Sequence, residues 1–156
     1  MTDNLTPEQR KRAMSRVRNK DTDLERKVRS ALHERGYRFK KHVRSLPGSP
    51  DIVFTKQKLA VFIDGDFWHG YRFPAWEHKV ADFWRQKIRK NRARDMKNFR
   101  KLRRMGWRVV RVWQHDVNKN FEFCLNRITS HVEGIESKAS LTRLNSGNVC
   151  ESATGK

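Results

Sequence analysis

Ser49-Pro50-Asp51-Ile52-Val53-Phe54, followed by Leu59-Ala60-Val61-Phe62-Ile63-Asp64-Gly65-Asp66-Phe67-Trp68-His69-Gly70, is the stretch that organises this chain. Asp51 to Thr55 and Leu59 to Ile63 are short β-rich runs, and Lys56-Gln57-Lys58 between them reads as a hairpin connection. Leu46-Pro47-Gly48-Ser49-Pro50 ahead of them is a turn, because its two prolines forbid helix. Asp51 therefore opens a strand, on rigid backbone, beside a loop that leaves room for a ligand. The partner strand returns to the same edge and delivers Asp64 next to it, with His69 just beyond.

These acids stand against a strongly basic background. The 156 residues carry 36 Lys and Arg against 17 Asp and Glu, a net charge of +19. Such an excess calls for an anionic partner, and nucleic acid is the usual one. Carboxylates inside such a protein repel phosphate unless a metal ion sits between them, which points to a metal-dependent phosphodiesterase. Magnesium keeps several waters, so one or two carboxylates and a backbone carbonyl suffice to hold it. An imidazole such as His69 can handle the proton of an attacking water. Each residue also has a plainer role open to it: Asp51, Asp64 and Asp66 as turn acids, His69 as a packing or surface histidine. Their concentration in one stretch, on this charge background, favours a site.

The length suits one domain with appendages. No apolar run approaches the roughly 18 residues of a membrane span, and the start of the chain lacks a signal-peptide pattern. Cys124 and Cys150 are far apart and form no CxxC, so neither a disulfide framework nor a cysteine-rich zinc site is indicated. The expectation is a cytoplasmic protein. Residues 1–20 read as a basic DNA-binding arm, with a helix starting at Thr6-Pro7-Glu8-Gln9 and only Ala13, Met14 and Val17 as an apolar stripe. A second helix begins at the capping box Thr22-Asp23-Leu24-Glu25 and ends at Gly36. Tyr37 to Val43 alternates weakly, as a strand would. The longest helix runs from about Val80 to Met105, with Trp84, Ile88, Met96, Phe99 and Leu102 as candidate buried positions. Trp107 to Trp113 is an apolar strand, and a last helix spans about Phe121 to Val132. Residues 21–134 thus form the domain, and 135–156 a polar tail expected to be disordered. The fold class is α/β, a small mixed sheet flanked by helices.

Several blocks of this chain resemble the very-short-patch-repair (Vsr) DNA mismatch endonucleases. They are Met14-Ser15-Arg16-Val17-Arg18-Asn19-Lys20-Asp21-Thr22, Glu25, Leu46 to Val53, Phe67-Trp68-His69-Gly70, the long helix with Phe83-Trp84, Lys87-Ile88, Lys90-Asn91 and Arg94-Asp95, and the strand Gly106-Trp107-Arg108-Val109. The resemblance covers roughly residues 8–132. It implies a restriction-endonuclease-like fold and a monomeric enzyme that nicks one strand of duplex DNA beside a thymine–guanine mismatch, using magnesium. Carried over by position, Asp51 and the Ile63 backbone carbonyl hold metal. His69 is the acid/base group, and Glu25 polarises water or orients the histidine. Glu25 is also the third residue of a capping box, which by itself accounts for a glutamate there. Asp64 falls where some members carry histidine and cannot be the same proton donor at neutral pH. The best-known members hold a structural zinc where this chain reads Asp66, Tyr71, Phe73 and His115. Two possible ligands cannot build a closed tetrahedral site, so no zinc is expected and packing by Tyr71 and Phe73 is expected to hold the loop.

By the same resemblance Phe67 and Trp68, with Trp84, insert into the base stack beside the mismatch, where unstacking is cheapest. On its sequence position alone Trp84 reads as core. The long helix carries eleven Lys and Arg between Arg85 and Arg104, with Lys87, Lys90, Asn91 and Arg94 as candidate DNA contacts beside Met14, Arg16 and Arg18 of the arm. So dense a cationic face is best explained by phosphate contact. Two other readings fit the residues: a restriction-type nuclease without mismatch preference, and a non-catalytic basic DNA-binding module.

Overall fold

The computed structural model describes residues 5–16 and 22–134. Arg18 of the arm and the tail from 135 to 156 lie outside the described residues. Helix α1 (Pro7–Arg16) and helix α2 (Asp23–Glu34) precede strands β1 (Lys40–Lys41), β2 (Ile52–Phe54) and β3 (Leu59–Asp64). A loop with a short helix α3 (Phe73–Trp76) and a 3₁₀ turn (Glu77–Lys79) leads into α4 (Asp82–Arg104). Strand β4 (Arg108–Trp113), α5 (Gln114–Lys119) and α6 (Phe121–Glu133) complete the described chain. The expected elements are present. The Tyr37 to Val43 strand shrinks to two residues, and one short helix intervenes before α6.

Both predicted capping boxes form. In α1, Gln9 N–H donates to Thr6 Oγ1 at 3.2 Å and Thr6 N–H donates to Gln9 Oε1 at 2.9 Å. In α2, Glu25 N–H donates to Thr22 Oγ1 at 3.3 Å while the Thr22 hydroxyl donates to Glu25 Oε1 at 3.1 Å. Each pair satisfies donors that an open helix end leaves unpaired.

The sheet order is β1-β2-β3-β4, antiparallel across the first three strands and parallel between β3 and β4. A parallel neighbour demands a crossover, and α4 supplies it. Strand alternation then divides the molecule into two packed layers. Ile52, Phe54, Leu59, Val61, Ile63, Val110 and Val112 face Val28 and Leu32 of α2 and Leu125 and Ile128 of α6. On the opposite face Ala60 and Phe62 meet Phe99 and Leu102 of α4. Residues in phase with Ala60 and Phe62 share the α4 face. Asp64 at the end of β3, Asp51 just ahead of β2 and Arg111 in the middle of β4 are in that phase.

Two expected core positions are elsewhere. Met96 is 47 % exposed, because it lies one position beyond the stripe of Ile88, Asp95, Phe99 and Leu102. Trp84 is in phase but sits near the start of α4, where it meets the loop rings of Phe67 and Trp68 instead of the sheet.

Gly70 closes the loop turn after His69. Its φ is +66°, and a Cβ there would stand 2.8 Å from Ile88 Cγ2 and 2.7 Å from Arg92 Cδ. Arg92 can swing away, but Ile88 is fully buried and cannot. Gly70→Ala is expected to cost about 1–3 kcal/mol, read as a lower urea midpoint with an unchanged slope. A midpoint equal to that of the native chain would show that the loop is not pinned against α4.

Candidate active site and DNA interface

One cleft of about 730 Å³ opens on the α4 face at the ends of β2 and β3. Asp51, Ile63, Asp64, Trp68, His69, Lys87, Asn91, Arg94 and Met14 line it, together with His42 and Asp95. Residues widely separated in the chain therefore share one concavity. Glu25 is buried at its edge, Phe67 and Trp84 sit behind Trp68, and Lys90 and Arg16 are exposed outside it.

Asp51 stands where the turn predicts, with its amide donating to the Val61 carbonyl at 3.0 Å. Its Oδ2 accepts the Ile63 N–H at 2.7 Å. Burial pushes its carboxyl up from 3.8 to about 7, against the Ile63 hydrogen bond and with help from the Glu25 and Asp64 charges. His42 bridges Asp51 to Glu25: its Nδ1 is 4.0 Å from Asp51 Oδ1 and its Nε2 is 3.5 Å from Glu25 Oε2. Arg29 completes this side, 3.5 Å from Glu25 Oε2. Glu25 divides its two oxygens, and it is His42 rather than His69 that it faces. Oε1 holds the helix cap, and Oε2 faces the His42–Asp51 side.

Across the cleft His69 Nδ1 is 2.7 Å from Asp95 Oδ2 and its Nε2 is 3.3 Å from Asp64 Oδ1. Arg111 Nε donates to Asp64 Oδ2 at 2.6 Å, and Arg111 Nη2 donates to Asp95 Oδ2 at 3.0 Å. Burial pushes Asp64 up while His69 and Arg111 pull it back. Among the described residues two donor groups could hold a metal ion by spacing, Glu25–His42–Asp51 and Asp64–His69–Asp95, each with its ligand atoms within 4.8 Å of one another. They differ in compensation. In the second, one guanidinium bonds to both carboxylates, whereas among the described residues the Asp51 carboxylate has the Ile63 N–H, the His42 ring at 4.0 Å and two acidic neighbours. A divalent cation fits the Asp51 side better, and its two carboxylates are the oxygen donors magnesium favours.

The loop after β3 presents an aromatic surface. Phe67 is 41 % exposed and packs edge-on to Trp68, while Trp76 stacks on Phe67 at 5.8 Å between ring centroids. Trp84 supports Trp68 at 5.5 Å. Asn91 Nδ2 donates to the Trp68 carbonyl at 3.0 Å, and Lys87 Nζ reaches Met14 Sδ at 3.5 Å, tying the arm helix to α4. Where no zinc was expected, Asp66 Oδ1 lies 2.7 Å from His115 Nδ1, and the Tyr71 ring packs on His115 and Trp113 at 4.3 Å and 5.0 Å. Phe73 is buried against Trp76.

His42, Asp95 and Arg111 escaped the reading of single residues. His42 follows a strand of only two residues and has a φ of +48°, so no alternation reveals where it points. Asp95 carried a usable signal: it is an acid on the apolar stripe of a basic helix, in helical phase with Ile88, Phe99 and Leu102. Arg111 carried one too, as a charge in the middle of the apolar run Val109 to Trp113.

The model of the DNA mismatch endonuclease Vsr family matches residues 2–74. The type II nicking enzyme V.XorIIP of Xanthomonas oryzae pv. oryzae is 47 % identical over 120 residues, covering 76 % of this chain and 88 % of that protein. The type II nicking enzyme V.NmeDIP of Neisseria meningitidis serogroup C is 40 % identical over 136 residues, 83 % of this chain and 90 % of that protein. The DNA mismatch endonuclease Vsr of Escherichia coli K12 is 34 % identical over 110 residues, 67 % of this chain and 69 % of that protein. With its mixed sheet, its acidic and histidine groups in one cleft and these relatives, the chain belongs to the Vsr family of restriction-endonuclease-like DNA endonucleases.

Proposed function

We propose that this endonuclease nicks one strand of duplex DNA beside a thymine–guanine mismatch and does so with magnesium. The observation that carries the reading is the shared cleft: the Asp51 carboxylate and the His69 imidazole face one space, lined by Lys87, Asn91 and Arg94 and flanked by the exposed Phe67 ring. The names of the relatives, one a mismatch endonuclease and others nicking enzymes, agree with it.

Asp51 and the Ile63 carbonyl would hold the ion, with Glu25 and His42 beside them. The cation would supply positive charge to the phosphodiester and lower the pKa of the attacking water. His69 handles the proton of the attacking water or of the leaving oxygen. The cations of α4 and the arm grip phosphates and set the register of the duplex. Phe67 and Trp68 wedge into the stack, which costs a few kcal/mol per step in paired DNA and less at a mismatch. Mismatch preference follows from that difference.

Asp51→Ala is expected to lower magnesium-dependent nicking of a thymine–guanine duplex by about 1,000-fold or more while gel-shift affinity in chelator is retained. Nicking at the native rate would remove Asp51 from the site. Phe67→Ala with Trp68→Ala is expected to bring the rates on mismatched and paired duplexes closer together by roughly tenfold, about 1.4 kcal/mol of discrimination. Unchanged selectivity would refute the wedge.

The raised Asp51 carboxyl also sets a stability test. In chelator the folded chain keeps this proton to about pH 7, whereas the unfolded chain releases it near 3.8, so stability falls as pH climbs between those values. Asp51→Asn is expected to flatten the fall in urea midpoint between pH 5 and 8, and magnesium to restore part of it in the native chain. A slope identical in the two proteins would contradict the assignment.

A further inference from the structure

The sheet register brings His42 to Asp51. Lys41 pairs with Ile52, so residue 42 falls opposite residue 51, and the His42 N–H donates to the Asp51 carbonyl at 3.3 Å. Side chains opposite one another in an antiparallel pair share a face, and both of these line the cleft. His42 holds a φ of +48°, a region that residues with a Cβ seldom occupy. Backbone of that kind persists where its surroundings fix it, and it gathers at ligand sites.

We infer that His42 is a further protein donor to the ion beside Asp51 and the Ile63 carbonyl, binding through Nδ1, and that this nitrogen makes the site take manganese more tightly than magnesium. The inference deepens the metal reading of the Asp51 side and rests on it.

The distances distinguish a shared ion from a direct bond. His42 Nδ1 and Asp51 Oδ1 stand 4.0 Å apart, beyond hydrogen-bond reach. Two donors that each lie about 2.1 Å from one ion span at most about 4.2 Å, so a single cation can hold both. The other ring nitrogen, Nε2, is 3.5 Å from Glu25 Oε2. A metal-bound histidine gives its second N–H to a carboxylate, which fixes the tautomer and leaves the opposite lone pair for the ion. Glu25 is placed for that role: it is 4 % exposed, and Arg29 Nη1 stands 3.5 Å from the same oxygen. Arg29 Nη1 is also 3.3 Å from Nε2, and with the ring proton on Nε2 the guanidinium serves Glu25. In the Asp64–His69–Asp95 group, by contrast, Arg111 already answers both acids.

A nitrogen donor changes which cation is preferred. Magnesium is a hard ion that takes oxygen ligands and gives up water reluctantly. Manganese accepts the same carboxylates and carbonyls, but it belongs to the transition series, whose affinity for imidazole magnesium does not share.

The test is electron paramagnetic resonance of manganese on the full, untagged chain, with magnesium as competitor. The native chain is expected to bind manganese about tenfold more tightly than magnesium, and its spin-echo spectrum to show the nitrogen coupling of a bound imidazole. His42→Gln is expected to lose that coupling and to weaken manganese about tenfold or more while magnesium changes less than about threefold. A native chain without nitrogen coupling, a coupling that survives in His42→Gln, or one manganese affinity shared by both proteins would overturn the inference. An Asp51→Asn chain that binds manganese as the native one does would instead overturn the metal reading beneath it. The coupling is read in the native chain, so this arm does not depend on how any variant folds.

Discussion

Arg111 is the side chain on which the arrangement turns. It bonds to the last residue of β3 and to the middle of α4, and so ties the crossover helix to the sheet at the point where the cleft opens. A buried carboxylate is costly, and a second one beside it more so. By satisfying both, one guanidinium lets the protein keep acids in a core-adjacent position of a chain that otherwise selects for positive charge. The aromatic faces of Trp113 and Phe99 replace the hydration that the cation gives up.

The two sides of the cleft solve the same electrostatic problem differently. On the α4 side the compensating charge is part of the polypeptide and permanent. On the Asp51 side Arg29 faces Glu25 and His42, and among the described residues Asp51 itself is met by the Ile63 N–H and, at 4.0 Å, by the His42 ring. Fixed charge suits groups that must hold their geometry, and exchangeable charge suits groups that must meet a phosphate.

Local chemistry made much of the fold readable from the sequence. Prolines at 47 and 50, the short β-rich runs and the two capping boxes each have a nearby cause, and each feature formed. The Asp51 turn and the Phe-Trp-His loop belong to that class. What escaped depends on contacts distant in the chain. Trp84 is in phase with the core yet lies past the sheet, a matter of where α4 begins relative to β3. Asp95 is submerged among eleven cations, and its meaning comes from Arg111, which a single-strand reading treats as an interruption. The family match over residues 2–74 likewise ends before either of them.

The parallel seam between β3 and β4 joins Leu59–Asp64 to Arg108–Trp113, across more than forty residues of intervening chain. A growing polypeptide leaving the ribosome exposes the Asp51 turn and the aromatic loop long before the strand that orders them. The cleft therefore takes shape only after the strand that carries Arg111 has been made, and a chain cut short ahead of it leaves Asp64 and Asp95 without the guanidinium they share.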